Sequence, residues 1–246
     1  MQTKSIVFQT DVLLRKDELM RKLNVYIIST VITFLLCLLF GLYCKSTYED
    51  FNSKSDPLNE FTVGLISEEM CQDQVIMMKN SLANSNYIVA VEVVSDLKFL
   101  HSCTTQKVKI INVFKGDEIS TGEIIDLVIS NEIFWDETSF ETKGACINMG
   151  FINKLNVGET YLLFLDHEIE TYNSNRLFIK AEKYILSPFF SYDNDRIGWG
   201  QSESSIPEIL ECSYASVSQY DYFLSSQKSS DLIKALRLEL INRYRY

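Results

Sequence analysis

The amino-acid sequence predicts a mainly β protein, a small antiparallel sandwich or barrel with flanking helices, preceded by one transmembrane helix. Three observations support this fold class. Residues 25–44 form an uncharged apolar run, and residues 87–185 contain five segments rich in β-branched residues with turn residues between them. Residues 229–246 repeat apolar side chains at helical spacing.

The apolar run reads VYIISTVITFLLCLLFGLYC and contains no charged side chain. A helix of this length spans about 30 Å, the thickness of a bilayer's hydrocarbon core. The run lacks the polar stripe of a solvated helix, and Tyr26 and Tyr43 lie near its ends, where amphipathic aromatic side chains favour the membrane interface. The sequence therefore predicts a membrane span rather than a buried core helix.

Cleavage of a signal peptide and lipidation of Cys44 are the two alternatives to an uncleaved N-terminal anchor. The apolar run is longer than the core of a secretory signal peptide, and no pair of small residues closes it as a cleavage site. Cys44 suggests a lipidated cysteine, but the residue before it, Tyr43, is bulky where a lipoprotein signal has a small residue. The preferred prediction is an uncleaved signal anchor, with cleavage or lipidation of Cys44 as the alternatives.

Charge is distributed unevenly around the span. Residues 1–44 carry five basic and three acidic side chains, whereas residues 45–246 carry 18 basic and 30 acidic ones. The positive-inside rule then places residues 1–24 in the cytoplasm and the C-terminal part outside the cell membrane. Because so acidic a domain repels phosphate backbones, nucleic acid is not a predicted partner.

Residues 45–62 are polar and contain Pro57, which predicts a tether between the membrane and a folded extracytoplasmic domain at 63–246. A helix is predicted within 63–82, with Ser67 at a capping position. A second helix is predicted over 229–246, opened by a Ser-Ser-Asp cap. The predicted strands cover 87–94, 107–114, 123–130, 160–165 and 176–185.

The order of these segments resembles a known family. The matching segments are ANSNYIVAVEV at 83–93, VKIINVFKG at 108–116, GEIIDLVI at 122–129 and VGETYLLFL at 157–165. This series is similar to bacterial domains that are themselves similar to the tissue inhibitors of metalloproteinases. The resemblance covers about residues 83–190 and implies a small OB-like antiparallel β-barrel.

The activity of the animal inhibitors does not transfer with the resemblance. In those proteins a mature N-terminal cysteine reaches the zinc of the protease. No cysteine begins the folded domain here, and the predicted N-terminus is cytoplasmic. The resemblance therefore implies a fold without implying protease inhibition.

The predicted extracytoplasmic domain contains four candidate disulfide cysteines, Cys71, Cys103, Cys146 and Cys212. Four cysteines allow three pairings, and the spacing does not choose among them. An oxidising exterior favours one or two disulfides, and buried free thiols are the alternative.

Exposed aromatic side chains can stack on sugars or anchor a protein partner. The candidate ligand contacts of this kind are Trp135, Phe189, Phe190, Tyr192 and Trp199. For the last four, packing in the core or over a barrel end is the favoured alternative.

Signals for catalysis are few. Glu132, Asp136, Glu137 and Glu141 surround Trp135, and paired carboxylates near an aromatic ring could serve a glycosidase, although a solvated acidic loop is the commoner arrangement. The only histidines are His101 and His167, and they lack the spacing of a zinc site. No cofactor or metal is predicted.

The sequence thus favours a non-enzymatic, membrane-anchored extracytoplasmic protein that binds a protein or envelope glycan through loops at one end of the barrel. Two alternatives remain. One is an envelope hydrolase that uses the acidic cluster around Trp135. The other is a structural spacer that presents the C-terminal helix to a membrane complex.

Overall fold

A computed structural model describes residues 3–47, 50–100, 103–130, 132–135, 145–170, 176–181, 183–204 and 210–246, with the backbone alone for 3–19, 47 and 134–135. The chain forms two compact units, Met1–Asp50 and Phe51–Tyr246. The strands and helices of the second unit are numbered below in chain order.

The first unit contains one helix, α1 (Thr3–Thr47). Its segment Met20–Ser46 contains an 18-residue window with a mean hydropathy of 2.5, and it is the one helix among the described residues that is long and apolar enough to cross a membrane. The hydroxyl groups of Thr30 and Thr33 donate to the backbone carbonyls of Tyr26 and Ser29, each at 2.9 Å. The N-terminal apolar helix predicted from the sequence is therefore confirmed.

The second unit begins with β1 (Phe61–Gly64), α2 (Glu68–Ser81), β2 (Tyr87–Val93), β3 (Lys98–Phe99), β4 (Thr104–Lys115) and β5 (Ile124–Ser130). It continues with β6 (Glu132–Trp135), β7 (Ala145–Asn148), β8 (Thr160–Ile169), β9 (Leu177–Lys180) and β10 (Phe189–Ser191). It ends with β11 (Glu211–Ser213), α3 (Tyr214–Val217) and α4 (Gln227–Arg243).

Five strands close into a barrel in the order β2-β4-β5-β9-β8, with β8 pairing back to β2. The neighbours are antiparallel except for β5 and β9, which are parallel. A parallel pair needs a long crossover, and the chain between these two strands supplies one that carries β6, β7 and β8. The predicted small β-barrel is confirmed, with this one parallel pair added to the antiparallel scheme.

A second, four-stranded sheet in the order β11-β1-β7-β6 was not predicted from the sequence. Its centre is β1, which pairs parallel with β7 and antiparallel with β11. Both pairings join residues that lie more than 80 positions apart in the chain, such as Phe61 with Ala145 and Val63 with Cys212.

The two longer helices of this unit pack on each other. Ser67 caps α2 by accepting a hydrogen bond from the Met70 amide at 3.2 Å, as its position in the sequence predicts. Helix α4 begins two residues earlier than the predicted Ser-Ser-Asp cap, because Ser226 accepts from the Ser229 amide at 3.2 Å. The core-facing side of α4 consists of Ser229, Ser230, Ile233, Leu236 and Leu240.

The segment predicted as a tether over 45–62 is partly folded. The second unit starts at Phe51, and Leu58 and Phe61 are buried in its core. The rings of Phe51 and Phe99 pack with their centroids 5.5 Å apart. The difference from the predicted tether comes from apolar side chains in an otherwise polar stretch. The rings of Phe51 and Phe61 pack against Phe99 and hold this short segment against the folded unit.

Candidate functional site

A cleft of about 510 Å³ lies between barrel strand β9 and the small sheet. This volume is within the range of small-molecule sites in proteins. Strands β1 and β7 form one side, and β9 with the chain after it forms the other. The lining residues are Thr62, Val63, Gly64, Glu132, Cys146, Ile147, Asn148, Met149, Gly150, Phe151, Ile179, Lys180, Ala181, Tyr184, Ile185, Ser187, Glu211 and Phe223.

Lys180 is a buried cation in the wall of this cleft, with 7% of its surface exposed. It is the last residue of β9, two positions after the buried Phe178, so the alternation of the strand turns both side chains to the interior. The Lys180 ammonium donates hydrogen bonds to the backbone carbonyls of Ile129 and Met149. It also lies 5.5 Å from the centre of the Phe189 ring.

No carboxylate of the described residues pairs with Lys180. Its polar partners are two neutral carbonyl oxygens and an aromatic face. Burial of a charge away from water and without a counter-charge disfavours the charged form. Burial lowers the pKa of Lys180 from 10.5 to about 7.

The backbone next to Lys180's carbonyl acceptor is unusual. Gly150 has φ +65°, and Phe151 has φ +58°, the only positive value at a non-glycine residue among the described positions. A bulky L-residue in this conformation costs about 1–2 kcal/mol. The Phe151 carbonyl accepts from the Phe223 amide at 2.9 Å, and its ring lies against Gly64, so packing holds the strained residue in the cleft wall.

The rim of the cleft carries negative charge. Glu132 is exposed, and its carboxylate accepts from the Asn148 side-chain amide at 3.4 Å. Glu211 also lines the cleft. The cleft therefore combines one buried cation, two acidic side chains and a wall of mixed polar and apolar residues.

A second polar cluster lies elsewhere in the unit and is internally paired. Arg196 donates two hydrogen bonds to Glu159, at 2.7 and 2.5 Å, and one to Asp221 at 3.1 Å. Hydrogen bonding to Arg196 lowers the pKa of Glu159, whereas burial raises the pKa of Asp221 to about 6 despite the nearby guanidinium. These contacts tie the start of β8 to residues 196 and 221, which indicates a structural role.

The candidate disulfide cysteines lie in three places. Cys146 and Cys212 are on the two strands that flank β1, opposite Thr62 and Val63. Two strand spacings are about 10 Å, beyond the roughly 7 Å limit for a disulfide, so the pairing that joins these two is excluded.

Cys71 is buried between α2 and α4, and its thiol donates to the Ser229 carbonyl at 3.9 Å. Cys103 is half-buried just before β4. Burial raises the pKa of the thiols of Cys71, Cys103 and Cys212. Their participation in the remaining pairings stays a prediction.

Four of the candidate aromatic contacts have described side chains, and these four do not form one surface. Phe189 and Phe190 are buried in the core, as the favoured alternative predicts, so neither ring is exposed to a ligand. Tyr192 is half-buried against Tyr246, with ring centroids 4.8 Å apart. Trp199 is 38% exposed and donates to the Gln227 side chain at 3.0 Å.

Only part of the predicted acidic cluster lies within the described residues. Trp135 belongs to β6, where its backbone pairs with Ala145, and Glu132 opens the same strand. Asp136, Glu137 and Glu141 lie outside the described residues, as does His101. His167 is exposed, and the described part of the chain holds no group of three or more metal-ligating side chains.

Lys180 was missed in the sequence, although a signal was present. In the segment LFIK, the lysine stands two positions after a large aromatic residue, and strict strand alternation puts both on the buried face. A lysine at such a position indicates a buried cation. The cleft itself left no local signal, because its walls come from segments distant in the chain.

Comparison of the sequence with family models and with curated proteins gives no match.

Proposed function

We propose that the protein is a membrane-anchored binding protein whose folded unit lies outside the cell membrane and takes a small ligand in the cleft between the barrel and the small sheet. The observation that carries this proposal is the cleft itself, with a buried cation in its wall that has no counter-charge among the described residues. Sites with apolar walls and a few placed polar groups are typical of small-molecule binding. The cleft replaces the loops at one barrel end as the proposed binding region.

The proposed location follows from the N-terminal helix and its flanks. An apolar helix near the N-terminus could hold the chain in a membrane. The basic excess before it and the acidic excess after it favour an N-terminus inside the cell. Protease treatment of intact cells should then digest the folded unit and protect residues 1–24. Protection of the folded unit would contradict the orientation.

The order of the barrel strands supports the proposed kinship with domains similar to the tissue inhibitors of metalloproteinases. Counted along the chain, the five barrel strands stand in the order 1-2-3-5-4 and close on strand 1. This arrangement is that of an OB-like barrel, a fold that hosts many unrelated binding functions. The kinship therefore supports a binding role in general and no particular ligand.

Glu132 keeps the hydrolase alternative open, because its carboxylate lies on the rim of the same cleft. A hydrolase would turn over an envelope polymer and would lose that turnover in Glu132→Gln. The spacer alternative is less favoured, since the apolar side of α4 packs within the folded unit through Ile233, Leu236 and Leu240.

Saturation-transfer NMR with a panel of small neutral amides tests the binding role of the cleft. The full chain in lipid nanodiscs is compared with Ile179→Trp, which fills the cleft from a half-buried position on β9. The matched control is Ile111→Trp, half-buried on β4 and outside the cleft. We expect signals for the wild type and the control and their loss in Ile179→Trp. Equal signals in all three proteins would contradict the proposal.

A further inference from the structure

We propose that the ligand of this cleft is a small apolar monocarboxylate, and that its negative charge pairs with the ammonium group of Lys180. This inference rests on the proposed binding function and specifies its ligand class. Three features of the cleft support it: a cation with no counter-charge among the described residues, the apolar part of the wall and two acidic lining residues.

The hydrogen bonding of Lys180 leaves room for an anion. A lysine ammonium has three N–H donors. Two of them are directed to the carbonyl oxygens of Ile129 and Met149, and neither acceptor carries a formal charge. Met149 and Lys180 both line the cleft, so an oxygen atom of a ligand can take the remaining donor and supply the missing negative charge.

The wall defines the rest of the ligand. Phe151, Ile179 and Ile185 are the apolar lining residues that are not buried, and they offer hydrocarbon surface to the cleft. A ligand that carries its single charge at one end and an aliphatic or aromatic body at the other matches this division. Burial of that body supplies affinity in proportion to the apolar area removed from water.

The rim argues against anions of higher charge. Glu132 and Glu211 both line the cleft, and like charges at short range repel. A phosphate monoester or another dianion would meet one cation and two carboxylates. A monocarboxylate carries a single charge, so these carboxylates repel it less than a dianion, and its apolar end is not repelled at all.

Binding of a carboxylate should be linked to proton uptake. An adjacent negative charge favours the protonated form of Lys180 and raises its pKa. The pKa of the free site is about 7, so at pH 8 most molecules hold a neutral amine. Formation of the ion pair at pH 8 is therefore coupled to the uptake of a proton by Lys180.

Isothermal titration calorimetry of the full chain in nanodiscs tests the inference, with empty nanodiscs as the blank. The probes are 4-phenylbutyrate and its neutral analogue 4-phenylbutanamide. The variants are Lys180→Met, which keeps the length and removes the charge, and Lys109→Met, which removes an exposed lysine from β4. Titrations at pH 8 in two buffers of different ionisation enthalpy measure the proton uptake.

We expect the wild type and Lys109→Met to bind 4-phenylbutyrate at least tenfold more tightly than Lys180→Met does, and to take up a proton on binding at pH 8. The amide should bind the wild type and both variants with equal affinity. Equal affinity of the carboxylate for wild type and Lys180→Met, or binding without proton uptake, would overturn the inference. If the amide binds as tightly as the carboxylate, the cleft remains a binding site and only the ligand class is wrong.

Discussion

Replacement of Lys180 by methionine should stabilise the protein at neutral and acidic pH. The pKa of Lys180 falls from 10.5 to about 7 on folding, and each pKa unit corresponds to about 1.4 kcal/mol. The charged form therefore costs the folded state on the order of 5 kcal/mol at pH 6. Methionine removes this cost and leaves the carbonyls of Ile129 and Met149 without a donor, which offsets about 1–3 kcal/mol of the gain.

The pH dependence of this effect distinguishes it from a simple packing change. Between pH 7 and 10.5 the unfolded chain binds more protons at this lysine than the folded protein does, so the stability of the wild type rises with pH. We expect Lys180→Met to be about 2–4 kcal/mol more stable than the wild type at pH 6. This advantage should shrink above pH 7 and reverse near pH 10.

Urea unfolding of the full chain in non-ionic detergent, followed by circular dichroism from pH 6 to 10, measures the difference. Lys109→Met is the matched control, because an exposed lysine on β4 should change the free energy of unfolding by less than about 0.5 kcal/mol. A difference between wild type and Lys180→Met that stays constant over this pH range would refute the reasoning.

Three further changes test other parts of the structure by the same unfolding measurement. Arg196→Leu leaves the buried Asp221 without its cation and should lower the free energy of unfolding by about 2–4 kcal/mol at pH 7.5. Because Asp221 has a pKa of about 6, this loss of stability should be smaller at pH 5. An equal loss at both pH values would contradict the prediction. Gly116→Ala should cost more than Gly122→Ala. Both glycines have positive φ, but an added Cβ lies 2.3 Å from a tyrosine ring carbon only at Gly116, so equal costs would argue against that contact. Ser67→Ala removes the cap of α2 and should cost about 1 kcal/mol, whereas Ser67→Asp should restore most of the loss.

The barrel was predictable because its strands are long enough for local patterns to show. β2, β4, β5 and β8 each contain at least seven residues, and the predicted segments overlap all of them. The glycines that precede two of these segments, Gly122 and Gly158, adopt positive φ in the turns before the strands. Local periodicity therefore carried most of the fold.

The small sheet could not be predicted in the same way. β1, β7 and β11 contain only three or four residues, too few for alternation to separate a strand from a loop. Their stability comes from pairing with distant segments, and a single sequence contains no record of those partners. The cleft depends on the same long-range pairing, which explains why Lys180 stood out only once the strands were assembled.

The buried charge of Lys180, with no counter-charge among the described residues, lowers the stability of the fold, which indicates a role other than stability. A methionine at position 180 would make the folded protein more stable at neutral pH, yet a lysine lies there, beside a cleft. Residues that lower stability without an internal partner often serve binding or catalysis. In the proposed account, the ligand supplies the counter-charge that the described part of the chain does not provide.

NMR titration of the full chain labelled with ¹³Cε-lysine tests this account most directly, with Lys180→Met used to assign the resonance. The account predicts that Lys180 titrates with a midpoint near pH 7, far below the value of about 10.4 for an unperturbed lysine. Addition of 4-phenylbutyrate should move that midpoint upward. A midpoint near that of the unperturbed lysine in the free protein, or one that 4-phenylbutyrate leaves in place, would contradict it.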